Sequence, residues 1–172
     1  MKESSPTISH RKLTHTNCLF CDLIEDQDLK EKEGYRILKM TPDYIAILDS
    51  NPKVPGHTLV ISTKQLDDVT ELNSNSKHAK ILFRGIIETS KLLKKKLTGK
   101  EGKVYVMTMC EHWQPDEIES SEKQTTEHLH FHLLPRYPHL RTRKLAMENL
   151  FCRDGVTWSH VKLKKLSKRI LS

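Results

Sequence analysis

A chain of 172 residues with 36% hydrophobic side chains and only 6 glycines and 7 prolines has room for one main core and is not a wholly disordered sequence. Its formal net charge of +7 favours anionic partners without choosing among nucleotide, RNA and acidic lipid. Four cysteines, Cys18, Cys21, Cys110 and Cys152, are too few and too unevenly placed for a disulfide scaffold, and no apolar run has the length of a secretion signal or a membrane span. An intracellular protein is therefore expected, in the cytoplasm or the nucleus.

Residues 1–16 read as a flexible basic arm. Cys18-Leu19-Phe20-Cys21 opens the ordered part, with a spacing that suits either a metal grip or the start of a short helix. Two cysteines supply half of a tetrahedral zinc site, so partners are needed elsewhere. Residues 25–33, rich in acids and lysine, predict a surface connection. Tyr35 to Lys39 and Tyr44 to Leu48 predict a hairpin around Thr41-Pro42-Asp43. A turn-rich loop from Asp49 to Gly56 then feeds a strand over His57 to Ile61, which places His57 where a loop enters a sheet.

Asp67-Asp68 opens a short helical turn through Leu72. Ile81, Leu82, Ile86, Leu92, Leu93 and Leu97 then describe a long amphipathic helix, with Lys94-Lys95-Lys96 near its end where cations complement the helix dipole. Lys103 to Met109 predicts a strand, and residues 110–123 a long loop beside the pocket. Residues 145–151 predict a short helix. Val161, Leu163, Leu166 and Ile170, set among lysines, predict a tail that packs on its own protein in preference to a second subunit or an acidic surface.

The most informative stretch is His128-Leu129-His130-Phe131-His132-Leu133. Strict alternation puts three imidazoles on one face of a strand and the apolar residues on the other. One solvent-facing histidine would need no explanation; three in register call for chemistry. A neutral imidazole attacks phosphorus when its other nitrogen is fixed by a hydrogen bond, and neighbouring donors stabilise the phosphate. His130, central in the row, is the candidate nucleophile, with His132 on the same face to hold or polarise the reacting groups. Gln124, Thr125 and Thr126 add an amide and hydroxyls for phosphate contact, and His57 supplies a fourth imidazole.

The complete pattern His-apolar-His-apolar-His-apolar-apolar over His128 to Leu134 resembles the histidine triad, or HIT, family of nucleotide hydrolases and transferases. Cys18 to Ile24, Asp49 to Ile61 and Gln124 to His128 extend the resemblance, which covers residues 17–138. It implies an α+β fold, an antiparallel sheet with a long amphipathic helix, with N- and C-terminal extensions over 1–16 and 139–172. It further implies a homodimer and a transient nucleotidyl-histidine on His130. In that likeness His57 assists the leaving group, His132 lies near the phosphate, and Gln124 and Thr125 contact the phosphate. Asp49 accepts from ribose hydroxyls, and Ile47 and Leu48 lie near the nucleoside pocket.

Zinc-containing members of the family bind metal at the positions of Cys18, Cys21, Gln65 and His128, usually with histidine where this chain has Gln65. Glutamine lacks the imidazole nitrogen, so a structural zinc is expected here only with a displaced or water ligand, and the chemistry at His130 requires no metal. The loop over 110–123 also departs from the family's shorter, Asn- and Gly-rich connection. The leading expectation is an enzyme that cleaves a nucleoside phosphate from a phosphoanhydride or phosphoramidate, such as a dinucleoside polyphosphate. The alternative is a catalytically weak nucleotide-binding adaptor. A nucleic-acid-binding role ranks behind both, because no recognised module or aromatic stacking platform accompanies the charge.

Overall fold

A computed structural model describes residues 18–108, 128–138 and 158–172. The arm over 1–16, the loop over 110–123, Gln124, Thr125 and the helix expected over 145–151 lie outside the described residues.

Five strands, β1 (Ile37–Met40), β2 (Tyr44–Leu48), β3 (Thr58–Ser62), β4 (Lys103–Met107) and β5 (His130–Arg136), form one sheet in the order β1-β2-β3-β5-β4. Every neighbouring pair is antiparallel. With the helices described below, this is the expected α+β fold.

The centre of the sheet is buried on both faces, and the period of two along each strand sorts its residues between them. Tyr44, Ala46 and Leu48 of β2, Val60 of β3 and Phe131 and Leu133 of β5 join one core. Ile45 and Ile47 of β2 and Leu59 and Ile61 of β3 join a second core on the opposite face, with Cys18, Phe20 and Leu23. The central strands β2 and β3 are buried along their whole length, which is why they read as continuous apolar runs.

The first face is covered by α3 (Lys77–Leu93). Ala79, Leu82, Ile86 and Leu93 fall on one side at helical spacing, and the Ser76 side chain accepts from the Ala79 N–H to cap the first turn. The helix runs on through a wider turn at Lys94–Thr98 and stops at Gly99, whose φ of 68° suits glycine. The C-terminal helix α4 (His160–Leu171) seats Leu163 and Ile170 in the same core, and the rings of Tyr35 and His160 meet with centroids 3.8 Å apart at a tilt of 43°. The tail thus packs on its own domain and turns its lysines outward.

The second face carries α1 (Leu19–Glu25), whose Phe20 and Leu23 are buried. Residues 25–33 are not the plain connection that their polarity suggests: Asp26 accepts from the Leu29 N–H and starts a second helix, α2 (Gln27–Glu33). Residues 34–36 form a 3-10 turn, so β1 begins later than Tyr35. No helix among the described residues is long and apolar enough to cross a membrane.

Candidate active site

The β3–β5 register sets the site. Leu59 stands opposite His132 and Ile61 opposite His130, so the face bearing Leu59 and Ile61 also bears these two histidines. His57 lies two residues before Leu59 and therefore on that face, diagonal to His132. Gly56 gives His57 its entry. Its φ is 82°, and a Cβ there would collide with Leu97 and crowd Pro135, so the tight approach of this loop to β5 needs glycine.

The result is a chain of imidazoles. His57 Nε2 is 2.9 Å from His132 Nδ1, and His132 Nε2 is 3.1 Å from His130 Nε2. His130 Nδ1 is 2.7 Å from the carbonyl oxygen of His128. A carbonyl only accepts, so His130 carries its proton on Nδ1 and presents the Nε2 lone pair, the form a nucleophilic imidazole needs. At the other end His57 Nδ1 stands 3.1 Å from Asp49 Oδ2 and 3.3 Å from the backbone nitrogen of Lys53.

His128 does not continue the strand. β5 begins at His130, because the Leu129 N–H is taken by the Leu66 carbonyl and the His128 ring turns toward Cys18 and Cys21. Phe20 of α1 packs over this row, with its ring 4.9 Å from that of His130 and 5.8 Å from that of His128. His130 is only 3% exposed. Sequence reasoning did not single out Phe20 as a site residue, since only the docking of α1 on the sheet brings its ring to the histidines.

Burial dominates the electrostatics. It pushes the His132 imidazole down to about 3, with the neighbouring His130 and His57 adding to the effect. His57 is also lowered by burial, against the opposing pull of Asp49. Both rings are therefore neutral near pH 7, able to accept a proton from an attacking water or to relay one.

The metal-type cluster is equally defined. Cys18 Sγ and Cys21 Sγ each lie 3.5 Å from His128 Nδ1. His128 Nε2 stands 2.7 Å from the Ser62 carbonyl, so it is the protonated nitrogen and Nδ1 offers its lone pair to the sulfurs. Ser62 is a residue that no sequence signal marks, because its backbone oxygen does the work. A tetrahedral zinc with Zn–S of ~2.3 Å and Zn–N of ~2.05 Å spaces sulfur and nitrogen ~3.5 Å apart, so these three residues fit the ion. Gln65 does not complete the tetrahedron as it stands. Its Oε1 is 2.9 Å from Cys21 Sγ, shorter than a tetrahedral S–O edge of ~3.6 Å, and accepts a thiol hydrogen bond there. Without metal, burial and the adjacent Cys18 raise the Cys21 thiol to about 12.

Asp49, His57 and His132 also bring ligand-type atoms together, with a hydrogen bond between the two rings and the Asp49 carboxylate 3.1 Å from His57 Nδ1. Of the pair expected beside the nucleoside, Ile47 lies on the histidine face and Leu48 does not: it is fully buried in the core under α3. Adjacent residues of one strand point to opposite faces, which is why the two part here.

The comparisons agree with this architecture. An uncharacterised HIT-like protein of Saccharolobus solfataricus is 28% identical over 120 residues, spanning 70% of this chain and 74% of that protein. Among solved structures, a HIT-like protein involved in cell-cycle regulation from Bartonella henselae matches with a TM-score of 0.61 at 22% identity, covering 90% of this chain and 94% of its own. A hypothetical histidine triad nucleotide-binding protein from Sulfolobus tokodaii matches with a TM-score of 0.60 at 23% identity, covering 90% and 89%. The family model described as the HIT domain matches residues 30–139, which hold the whole histidine row and His57, and the chain belongs to that family.

Proposed function

We propose that this protein is a nucleotide hydrolase or nucleotidyl transferase that cleaves a nucleoside phosphate from a phosphoanhydride or phosphoramidate through a nucleotidyl-histidine on His130. The observation that carries the reading is the His130 Nδ1 contact with the His128 carbonyl at 2.7 Å, which aims the Nε2 lone pair at the face shared with His132 and His57.

In the first step the His130 Nε2 pair forms a bond to the α-phosphorus, and the bond from phosphorus to the leaving oxygen or nitrogen breaks with its pair. The leaving atom takes a proton that comes from solvent and is relayed by His57 and His132, to be returned when water attacks in the second step. In the second, water attacks phosphorus, the N–P bond breaks, its pair returns to Nε2 and the water proton enters the row. Another acceptor in place of water makes the same site a transferase. Ile47 supplies apolar surface on this face, and Gln124 and Thr125 are the proposed phosphate contacts. A zinc on Cys18, Cys21 and His128 would brace α1 against the row and take no part in bond making.

Trapping tests the reading. Brief exposure to labelled dinucleoside polyphosphates and nucleoside phosphoramidates is expected to leave a nucleotide on His130, found by peptide mass spectrometry. Absence of the adduct across the panel rejects the mechanism.

A second reading, a nucleotide-binding adaptor with weak turnover, is favoured by the burial of His130 beneath Phe20. Turnover that His130→Ala abolishes rules it out. The proposed assembly is a homodimer, supported by the exposed apolar side chains of Phe83 and Ile87, one turn apart on α3, and Val106 on the edge strand β4. Light scattering of the eluting protein measures it, and a monomer mass at micromolar concentration refutes it.

A further inference from the structure

Two lysine clusters that stand far apart in the chain meet on one surface. The first closes α3, where Lys94, Lys95 and Lys100 are exposed and Lys96 is half-buried. The second is α4, where Lys162, Lys164, Lys165, Lys168 and Arg169 are all exposed. α4 packs against the turn at Lys94–Thr98, and Leu93 of α3 joins Leu163 and Ile170 of α4 in the core on the first face of the sheet. Because both helices spend their apolar sides on that core, their cations share the outer surface.

Folding alone does not explain this charge. Neither segment, 91–100 or 158–172, contains an acidic residue, and among the described residues none of these cations takes part in a salt bridge. Helix dipoles account for Lys94, Lys95 and Lys96 at the end of α3 and for Lys168 and Arg169 in the last turn of α4. Lys162, Lys164 and Lys165 lie in the first half of α4, where the dipole opposes a cation. Lys164 with Lys168, and Lys165 with Arg169, are like charges one turn apart, a spacing that destabilises an isolated helix. An anion from outside the chain relieves all of these repulsions.

The shape of the patch selects the anion. Charge repeats along α4 every ~6 Å, and the end of α3 broadens it sideways, so a single nucleotide is too small to reach both clusters. A nucleic-acid strand, with one phosphate per ~3.4 Å of helix axis, spans them. A lipid surface fits less well, since helices that enter it need a free apolar face. Leu163 and Ile170 are buried, and the exposed Val161 and Leu171 stand near opposite ends of α4, about 15 Å apart along its axis.

We infer that the lysine-rich end of α3 and the outer side of α4 together form a docking surface for the phosphodiester backbone of a nucleic acid. Phosphate contacts of this kind hold a strand without reading its bases, so neither a recognition module nor a stacking platform is needed. The surface lies across the sheet from the face that bears His130 and His132, and the inference stands apart from the proposed chemistry there.

Fluorescence anisotropy of the full chain with labelled RNA and DNA single strands tests it. Log affinity is expected to fall linearly with log salt for both, with little preference among sequences. Lys164→Gln/Lys165→Gln/Lys168→Gln is expected to weaken binding ~10-fold or more and to make the salt slope shallower by about 2. Lys94→Gln/Lys95→Gln is expected to make it shallower by about 1. The control is Lys77→Gln/Lys80→Gln, which removes two exposed charges at the other end of α3 and is expected to change neither affinity nor slope.

Three results overturn the inference. One is no binding of either strand at about 50 mM salt, where backbone contacts are strong. Another is a control that loses as much as the Lys94/Lys95 variant, or a slope that only one of the two clusters affects. The third is binding to phosphatidylserine-rich vesicles without binding to nucleic acid, which assigns the surface to a membrane.

Discussion

His57 Nε2 and His132 Nδ1 stand 2.9 Å apart although 75 positions separate them in the chain. The antiparallel pairing of Leu59 with His132 makes them neighbours, and Gly56 lets the preceding loop come close enough. A proton on His57 is thus one short step from His132 and two from His130. Replacing His57 by glutamine is expected to slow release of poor leaving groups by ~10²-fold or more and to spare substrates whose leaving group departs without a proton. A leaving-group series, plotted as log rate against leaving-group pKa, measures this; equal losses across the series contradict the role.

The metal cluster makes a separate prediction. Protein expressed with added zinc is expected to hold about one zinc per chain, and Cys21→Ser to lose it, because two cysteines and His128 supply the three firm ligands. Gln65→His supplies the missing imidazole and is expected to tighten zinc at least ~10-fold in competition with a chromophoric chelator. Elemental analysis near zero for the wild type, or no gain in Gln65→His, counts against a zinc role.

Acidification acts through His132. Its folded-state value of about 3 lies below the ordinary 6.5. Between those values the unfolded chain binds a proton that the folded one refuses, so stability rises with pH across that window. The contribution is fully present above about 6.5 and is lost as pH falls toward 3, on the order of a few kcal/mol. Urea midpoints measured from pH 7 to 4 should fall, and His132→Asn should fall less steeply.

Packing of α3 on the sheet has a defined weak point. A Cβ on Gly85 would sit 2.5 Å from the Tyr44 ring, which is buried and belongs to β2. Gly85→Ala, a favourable change in an exposed helix, is here expected to destabilise by about 1–3 kcal/mol through overpacking. Pairing it with Tyr44→Leu should recover part of the loss, and denaturant unfolding of the single and double variants checks both statements.

Periodicity in the sequence determined much of this protein. Apolar and β-branched runs marked β2 and β3, alternation marked the His130 strand, helical spacing marked α3, and three histidines in register marked the chemistry, because local geometry alone fixes which side chains share a face. Polar composition hid α2, which starts at the Asp26 cap and packs a single apolar side chain, Leu29, against the second core. It gave no sign that the Phe20 ring lies over His130. Alternation also puts Ile47 and Leu48 in different cores, on opposite faces of the sheet. Only the tertiary structure decided what the histidines bond to. The pairing of β3 with β5 brings His57 to His132, the Ser62 carbonyl turns His128 toward the cysteines, and Asp49 meets His57. The first two are contacts between segments far apart in the chain and the third depends on how a turn-rich loop folds back, and neither kind leaves a residue-type signature. Proton positions, and with them the reactivity of His130, follow from those contacts.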